Sequence, residues 1–510
     1  MKKNAFLLFI FLLISRFLGL IRESFLSAYY ATTYVADAYV AASQIPNVIF
    51  AIISAGLVST FIPIYSRIIN KEGEERAENY LNNILSLVFV FTIIVIGLGL
   101  IFTEELVSLL RPGFKDQQLL LTIKLLKITL FALLFNGVGN ILNGYQQYHD
   151  RFLVGPVGGF LMNFVVITSI IISAKTDLLV LAYGLVIAAL AQLLVTYFVA
   201  RSKSSYRFKP GINLKDPYLK PMLLMAMPII LGSSIGQINA TVDGAFASNL
   251  GVGASSTLNY ASKISGAVYG LFVSSITTVM YPTIIRQASA GKIEEMKVTM
   301  VKILNSIAII IVPATVGLIV LSKPVVNLIH KRGSMTEAEV ILIASVLVFL
   351  SLGLIAQSLK DVMVRTFYSL HDSMSPVFSS VITVGTNIIL NIILVPTMGV
   401  KGLALATTIS GFVGFIALFI VLNRKINGIP MRELLITFGK ILFASIIMGV
   451  VAHFGYDILI SINLDYKLAL FGSAGVAAAL YAGILYFMKI EEFDELWEMA
   501  FSKIRVIIKR

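Results

Sequence analysis

Apolar runs of about 20 residues, long enough to cross about 30 Å of hydrocarbon as helix, recur along the whole chain with polar punctuation between them. Hydropathy and helix breakers together predict spans at 5–29, 38–66, 80–103, 120–144, 153–174, 178–200, 218–248, 257–285, 300–322, 337–369, 376–397, 401–423, 435–457 and 467–488. A segment in lipid has no water to satisfy its backbone, so each must bond within itself as a helix. The expected fold class is all-α integral membrane, with about 14 transmembrane helices.

Composition agrees with that pattern. The 510 residues are 57% hydrophobic and 13% charged, a balance that leaves a soluble domain with more apolar surface than its core can hide. The chain contains no cysteine, which excludes disulfides and thiolate metal sites. Its four histidines, His149, His330, His371 and His453, are too scattered to suggest a metal centre. Met1-Lys2-Lys3 opens like a secretory signal, but the apolar stretch continues through Ser15, Arg16 and Arg22 without a small-residue cleavage site, and reads as a retained first helix.

The net charge of +13 finds no basic, aromatic-interleaved soluble domain that would suit nucleic acid. It has a topological explanation instead. With the N-terminus inside, the predicted cytoplasmic segments hold about 25 Lys and Arg and the opposite side about 10, which by the positive-inside rule places both termini in the cytoplasm. The longest polar linker, 201–217, separates six predicted helices from eight and reads as a hinge, its basic residues serving topology or meeting anionic headgroups.

Four landmarks recur at an offset of about 220 residues. Phe61-Ile-Pro63-Ile-Tyr-Ser-Arg67 resembles Met280-Tyr-Pro282-Thr-Ile-Ile-Arg286, and each precedes an acidic loop, at Glu74-Glu75 and Glu294-Glu295. Arg111-Pro-Gly113 matches Lys331-Arg-Gly333, and His149-Asp150 matches His371-Asp372. Six crossings separate equivalent points, so the repeat keeps its direction: two parallel six-helix lobes plus a C-terminal helix pair. The boundaries are 1–200 for the N-lobe, 201–217 for the linker, 218–424 for the C-lobe, 425–490 for the helix pair and 491–510 for a basic tail. Transporters place substrate between such repeats and alternate access by rocking them.

Ionisable groups inside apolar spans are expensive unless they meet water or a partner. Those here are Arg16, Arg22, Asp37, Asp243, Lys263, Lys360, Asp361 and Arg365. Arg16 and Arg22 lie about 9 Å apart along a helix and about 120° apart around it. Arg16 and Arg22 read either as cavity cations or as side chains snorkelling to the interface, Arg22 also as a partner of Glu23, Lys360-Asp361 as a local pair, and Arg365 as an end anchor. Cations lining a cavity suit a diphosphate, which needs several donors to replace its hydration. Asp243, with Asn387 and Asn391 at i,i+4 spacing elsewhere, offers oxygen ligands for a small cation, or else pairs with an internal cation such as Lys263.

These residues resemble the lipid II flippase family, MurJ or MviN, within the MOP superfamily of polysaccharide flippases and MATE exporters. The motifs are Ser15-Arg16-Phe-Leu-Gly19-Leu-Ile-Arg22-Glu23, Ala36-Asp37-Ala38-Tyr39, Ile45-Pro46-Asn47, Gln237-Ile-Asn239 through Asp243, Tyr260-Ala-Ser-Lys263 and Arg365-Thr-Phe367-Tyr368 with Asp372 and Pro376. The resemblance implies a 14-helix fold with a cationic central cavity and a C-terminal helix pair that holds the lipid tail. It implies substrate contacts at Ser15, Arg16, Arg22, Asp37 and Lys263, and a sodium site at Asp243, Asn387, Asn391, Leu403 through its carbonyl, and Thr407. The implied partners are an undecaprenyl-diphosphate-linked muropeptide, membrane lipids and cell-wall synthesis enzymes, with the chain a monomer in the bacterial cytoplasmic membrane. The sequence departs from the family where Phe50 stands in place of an arginine, Gly266 in place of a glutamate, and Asn391 in place of an acidic residue.

The function this predicts is transfer of lipid II from the inner to the outer leaflet for peptidoglycan synthesis. A polysaccharide-unit flippase of the O-antigen or teichoic type, or a MATE-like cation-coupled exporter, would use the same repeat and cation set. An enzyme is not expected. It would need a catalytic constellation at the membrane surface, and the two His-Asp pairs fall in corresponding short turns before proline, where such residues serve turn chemistry. A non-transporting scaffold for cell-wall enzymes would turn its intramembrane arginines toward lipid.

Overall fold

The structure, a computed structural model, describes residues 2–203 and 206–495; the end of the predicted basic tail, 496–510, lies outside the described residues. Every regular element among the described residues is a helix: α1 (Lys2–Tyr30), α2 (Tyr34–Glu72), α3 (Glu74–Ile101), α4 (Thr103–Leu110), α5 (Asp116–Thr129), α6 (Ala132–Tyr148), α7 (Val154–Ser173), α8 (Val180–Lys203), α9 (Leu219–Ser248), α10 (Ala254–Ser289), α11 (Ile293–Val320), α12 (Ser322–His330), α13 (Glu337–Ser369), α14 (Met374–Met398), α15 (Val400–Lys425), α16 (Met431–Ser461) and α17 (Tyr466–Phe487).

Among the described residues, ten of these are long and apolar enough to cross a membrane, and α5 with α6, bent by 41°, make an eleventh. The predicted count of about 14 exceeds this by the segments that hold α1, α9 and α10, helices of 29, 30 and 36 residues. The segment expected as one span at 120–144 is thus two helices, with the break at Leu130 and Phe131. The short α4 and α12 were not expected. Neither is long enough to cross, and each follows directly on a long apolar helix.

The chain forms two compact units, Met1–Asn259 with Arg332–Thr336, and Tyr260–Lys331 with Glu337–Arg510. Within the first, α2 packs along α9, α1 along α7, and α7 along α8. One core there is aromatic: Phe61, Tyr65, Tyr80, Tyr145 and Tyr206 are fully buried, with Phe61 stacked on Tyr65 at 5.2 Å and Tyr145 edge-on to Tyr65 at 5.8 Å. In the second unit, α15 packs on α13 and α14, and the C-terminal helices pack on α11. The seam with α11 buries Val312, Ile441, Ala444, Ala477 and Leu485, and the Tyr481 hydroxyl donates to the Ile309 carbonyl at 2.7 Å.

The repeat reappears as a reciprocal contact inside the first unit. Gly113 presses on the last residue of α9, where an added Cβ would fall 2.1 Å from the Ser248 carbonyl oxygen, and its N–H donates to the Ser248 hydroxyl at 3.1 Å. Gly333 presses on the end of α1, where a Cβ would fall 2.1 Å from the Ala28 carbonyl oxygen, and the next N–H, of Ser334, donates to that oxygen at 2.9 Å. Both glycines and both helix ends are separated by 220 residues. Each repeated turn therefore closes on the first helix of the other repeat.

Candidate functional site

The polar residues of the first unit form a connected chain beneath α1. Arg22, half-buried, pairs with Glu23 at 2.8 Å. Neighbours on a helix point about 100° apart, so this contact needs the long guanidinium arm to fold back over the shorter carboxylate. The other Glu23 oxygen accepts from the Asn259 amide at 3.2 Å, the Asn259 carbonyl accepts from Gln44 at 3.4 Å, and the Gln44 carbonyl accepts from Arg111 at 3.0 Å. Arg111 is only 3% exposed and lies against Gly244 of α9, where a Cβ would fall 2.5 Å from the guanidinium carbon. Its burial lowers its pKa to about 10, partly offset by the charge of Asp37, so it remains a cation at neutral pH.

Asp37 is fully buried. Its carboxylate accepts from the backbone N–H of Gly253 at 2.6 Å, the N–H of Ser256 at 2.7 Å and the Gln118 amide at 3.0 Å. This places a negative charge on the unsatisfied amides that open α10, where the helix dipole favours it. Arg16 is exposed on α1, while the Ser15 carbonyl accepts from Asn163 of α7 at 3.4 Å. Of the residues expected to contact substrate, Arg22 is tied into the polar chain and Asp37 into the start of α10. Lys263 is exposed and belongs to the second unit.

Four of the five expected cation ligands come together in the second unit. The Asn391 amide donates to Asn387 at 3.0 Å, the Asn387 amide to Thr407 at 3.3 Å, and the Thr407 hydroxyl to the Leu403 carbonyl at 3.0 Å. Asn387 and Asn391 are fully buried. This set offers neutral oxygen atoms, a donor type that suits a hard monovalent ion. Among the described residues no group of three His, Cys, Asp or Glu gathers as a divalent site would require. Asp243 lies on α9 in the first unit, nearly buried, and accepts from Asn239 at 3.4 Å.

The expected Lys360-Asp361 pair is corrected. Asp361 pairs with Arg365 one turn along the same face at 3.1 Å, and Lys360 donates to Thr383 of α14 at 3.0 Å. Phe50, where the family pattern has arginine, lines a small apolar pocket with Leu57, Val88 and Phe91. Of the two His-Asp pairs, Asp372 caps α14, accepting from the N–H of Met374 at 3.1 Å and of Ser375 at 3.0 Å, and pairs with Lys425 at 2.5 Å. His149 instead sits among Tyr65, Tyr145 and Tyr148.

Sequence reasoning missed Gln44, Gln118 and Asn259. The one available signal was Arg111, already singled out as a repeat landmark.

Comparison with known proteins bears on the whole chain. The model of the family described as "Lipid II flippase MurJ" matches residues 26–466. A relative described as "Probable lipid II flippase MurJ" from Rickettsia prowazekii is 26% identical over 96% of this chain and 97% of its own length. Another with the same description, from Rhizobium tropici, is 26% identical over 85% of this chain and 83% of its own length. In fold the chain is similar to a solved lipid II flippase MurJ in an inward closed conformation, at a TM-score of 0.81 and 23% identity over 95% of this chain and 98% of that one. A MATE family multidrug transporter of the MOP superfamily, inward-facing, gives 0.70 at 15% identity over 81% and 94%.

Proposed function

This chain belongs to the lipid II flippase MurJ family, and we propose that it carries lipid II from the inner to the outer leaflet of the bacterial cytoplasmic membrane by alternating access. The observation that carries the reading is the family match across residues 26–466. In this reading the substrate is an undecaprenyl-diphosphate-linked muropeptide, both termini are cytoplasmic, the 1–200 and 218–424 lobes rock, and the 425–490 helix pair receives the lipid tail. The work is binding and release by a monomer, with no covalent step.

Arg16 and Arg22 are the diphosphate ligands in this scheme. Arg16 is exposed, and Arg22 is held at a fixed angle by Glu23, so each presents a guanidinium to an anion without reordering the helix. A charge-assisted hydrogen bond contributes about 1.5–3 kcal/mol. Arg16→Ala therefore impairs transfer more than Arg16→Lys, which keeps the charge and loses the planar fork. The test is externalisation of lipid II in cells depleted of their own flippase, with membrane levels of each variant measured. Parental transfer by well-expressed Arg16→Ala and Arg22→Ala would remove the arginines from the substrate path.

A sodium ion is the coupling ion of this reading. Asn387, Asn391, Thr407 and the Leu403 carbonyl are its neutral ligands, and Asp243 is the charge that responds to it. A ligand that binds only the folded state raises the melting temperature by mass action. Sodium raises it in the parent and less in Asp243→Asn; equal shifts would separate Asp243 from the ion.

A further inference from the structure

The linker between α8 and α9 is anchored rather than loose. The fully buried Tyr206 donates its hydroxyl to Asn82 at 2.9 Å, and the Lys209 N–H donates to the same oxygen at 3.2 Å. The Gly211 N–H donates to Ser86 at 3.2 Å, and Asn213 exchanges two bonds with Asn83, at 2.8 and 3.0 Å. Asp216 closes the strap on Arg76 at 2.9 Å. Side chains on the first turns of α3 thus take the place of a partner strand, and they fix which side of the strap faces outward.

That outward side is apolar and basic together. Phe208, Ile212 and Leu214 are 41%, 55% and 72% exposed. Arg207, Lys209 and Lys215 are exposed too, and none makes an ion pair among the described residues. Residues 206–215 contain no acid, and the one acid that follows, Asp216, is already bound to Arg76. An ordered segment holding three large apolar side chains in water is unfavourable, because their burial is the main driving force available to it.

The anchors also set the strap's level. Ser86 is the last polar residue before the apolar stretch 87–101, which has no charged residue and whose Phe89 and Phe91 are exposed side chains of a membrane-crossing helix. Bonded to Ser86, the strap runs at the edge of the band that α3 gives to lipid. At that depth apolar side chains enter the boundary between headgroups and acyl chains, and neighbouring Lys and Arg meet phosphates.

We infer that the 206–215 strap is a lipid-binding surface, inserting Phe208, Ile212 and Leu214 at the membrane interface while Arg207, Lys209 and Lys215 pair with phosphates of anionic lipids. The surface uses none of the residues assigned to substrate or sodium, and does not depend on which lipid the protein moves.

The absence of cysteine allows a direct test on the full chain. Ile212→Cys and Leu214→Cys carry nitroxide labels in vesicles of phosphatidylcholine alone or mixed with phosphatidylglycerol. Lys175→Cys, in the exposed turn after α7, is the water-facing control. With phosphatidylglycerol, membrane-soluble oxygen should relax the labels at 212 and 214 several-fold more effectively than a water-soluble nickel chelate, with the reverse at 175. Omitting phosphatidylglycerol, or combining Arg207→Gln, Lys209→Gln and Lys215→Gln, should move both strap labels toward water. Labels as chelate-accessible as the one at 175 would overturn the proposal. So would equal depth in the two lipids, which would leave apolar contact without headgroup recognition. All three labelled positions are exposed, and the melting temperature of each labelled protein separates misfolding from lost contact.

Discussion

The turns at Arg111-Pro112-Gly113 and Lys331-Arg332-Gly333 occupy the same place in the two repeats, yet only half of their chemistry is shared. Both glycines meet the carbonyl end of the other repeat's first helix at the same close distance. The cations part company. Arg111 is buried and reaches through Gln44 toward α1, whereas Lys331 is 47% exposed and pairs at 2.5 Å with Glu337, which Lys323 also holds at 2.8 Å. Backbone approach leaves no room for a side chain, so both turns need glycine, but the flanking cation was free to take up different work in each half.

The largest effect that would break this equivalence comes from the glycines. A Cβ at either position meets a backbone carbonyl that cannot rotate aside, so Gly113→Ala and Gly333→Ala each destabilise by about 1–3 kcal/mol, as overpacking does. Gly333 also has a φ of +59°, which adds about 1 kcal/mol for any residue with a Cβ. Thermal unfolding in detergent should rank the two variants in that order below the parent. Full stability of either variant would mean that its turn does not close on the helix.

An effect of similar size at one turn, and a much smaller one at the other, separates the cations. Arg111→Met removes a buried charged donor from its half-buried partner Gln44 and should cost about 1.5–3 kcal/mol, and Arg111→Lys should recover only part of it because the fork is lost. Lys331→Met breaks a surface pair and should stay within about 1 kcal/mol of the parent. Denaturation of the three variants side by side decides whether the two turns differ as their burial indicates.

The smallest effect is the one that acid removes. Burial raises the Asp372 pKa, but Lys425 together with the amide and hydroxyl of Ser375 outweighs it and holds the carboxyl at about 2. Its folded pKa lies below the usual value of about 3.9, so its stabilisation is complete above about pH 4 and is lost as pH falls toward 2. Asp372→Asn should melt below the parent at pH 7, with the gap closing over that acid window. A gap that persists at pH 2 would assign the loss to packing.

Hydropathy made most of the helices legible, because crossing lipid imposes a length and a composition that few other structures share. It missed α4 and α12 because eight or nine residues carry too little periodic signal. The lone cations on α1 were legible for the same reason, since charge is conspicuous in an apolar run. Their partners were not. Glu23 and Asn259 are 236 positions apart, and Gln44 and Asn259 215, so nothing local announces that these amides bridge one buried charge to another. The linker shows the same limit: its basic residues could be read as a loop, but its register depends on Asn82, Asn83 and Ser86, which look like ordinary helix residues until the strap is seen against them.

Helix α10 begins in the first unit and continues through the second without a break, and the buried carboxylate of Asp37 grips its opening amides. Mechanically that pins its first turn. With 36 residues it runs for about ten turns, or about 54 Å, all counted from that one grip. Two hydrogen bonds of less than 3 Å at a single carboxylate thus set the starting point of the whole helix.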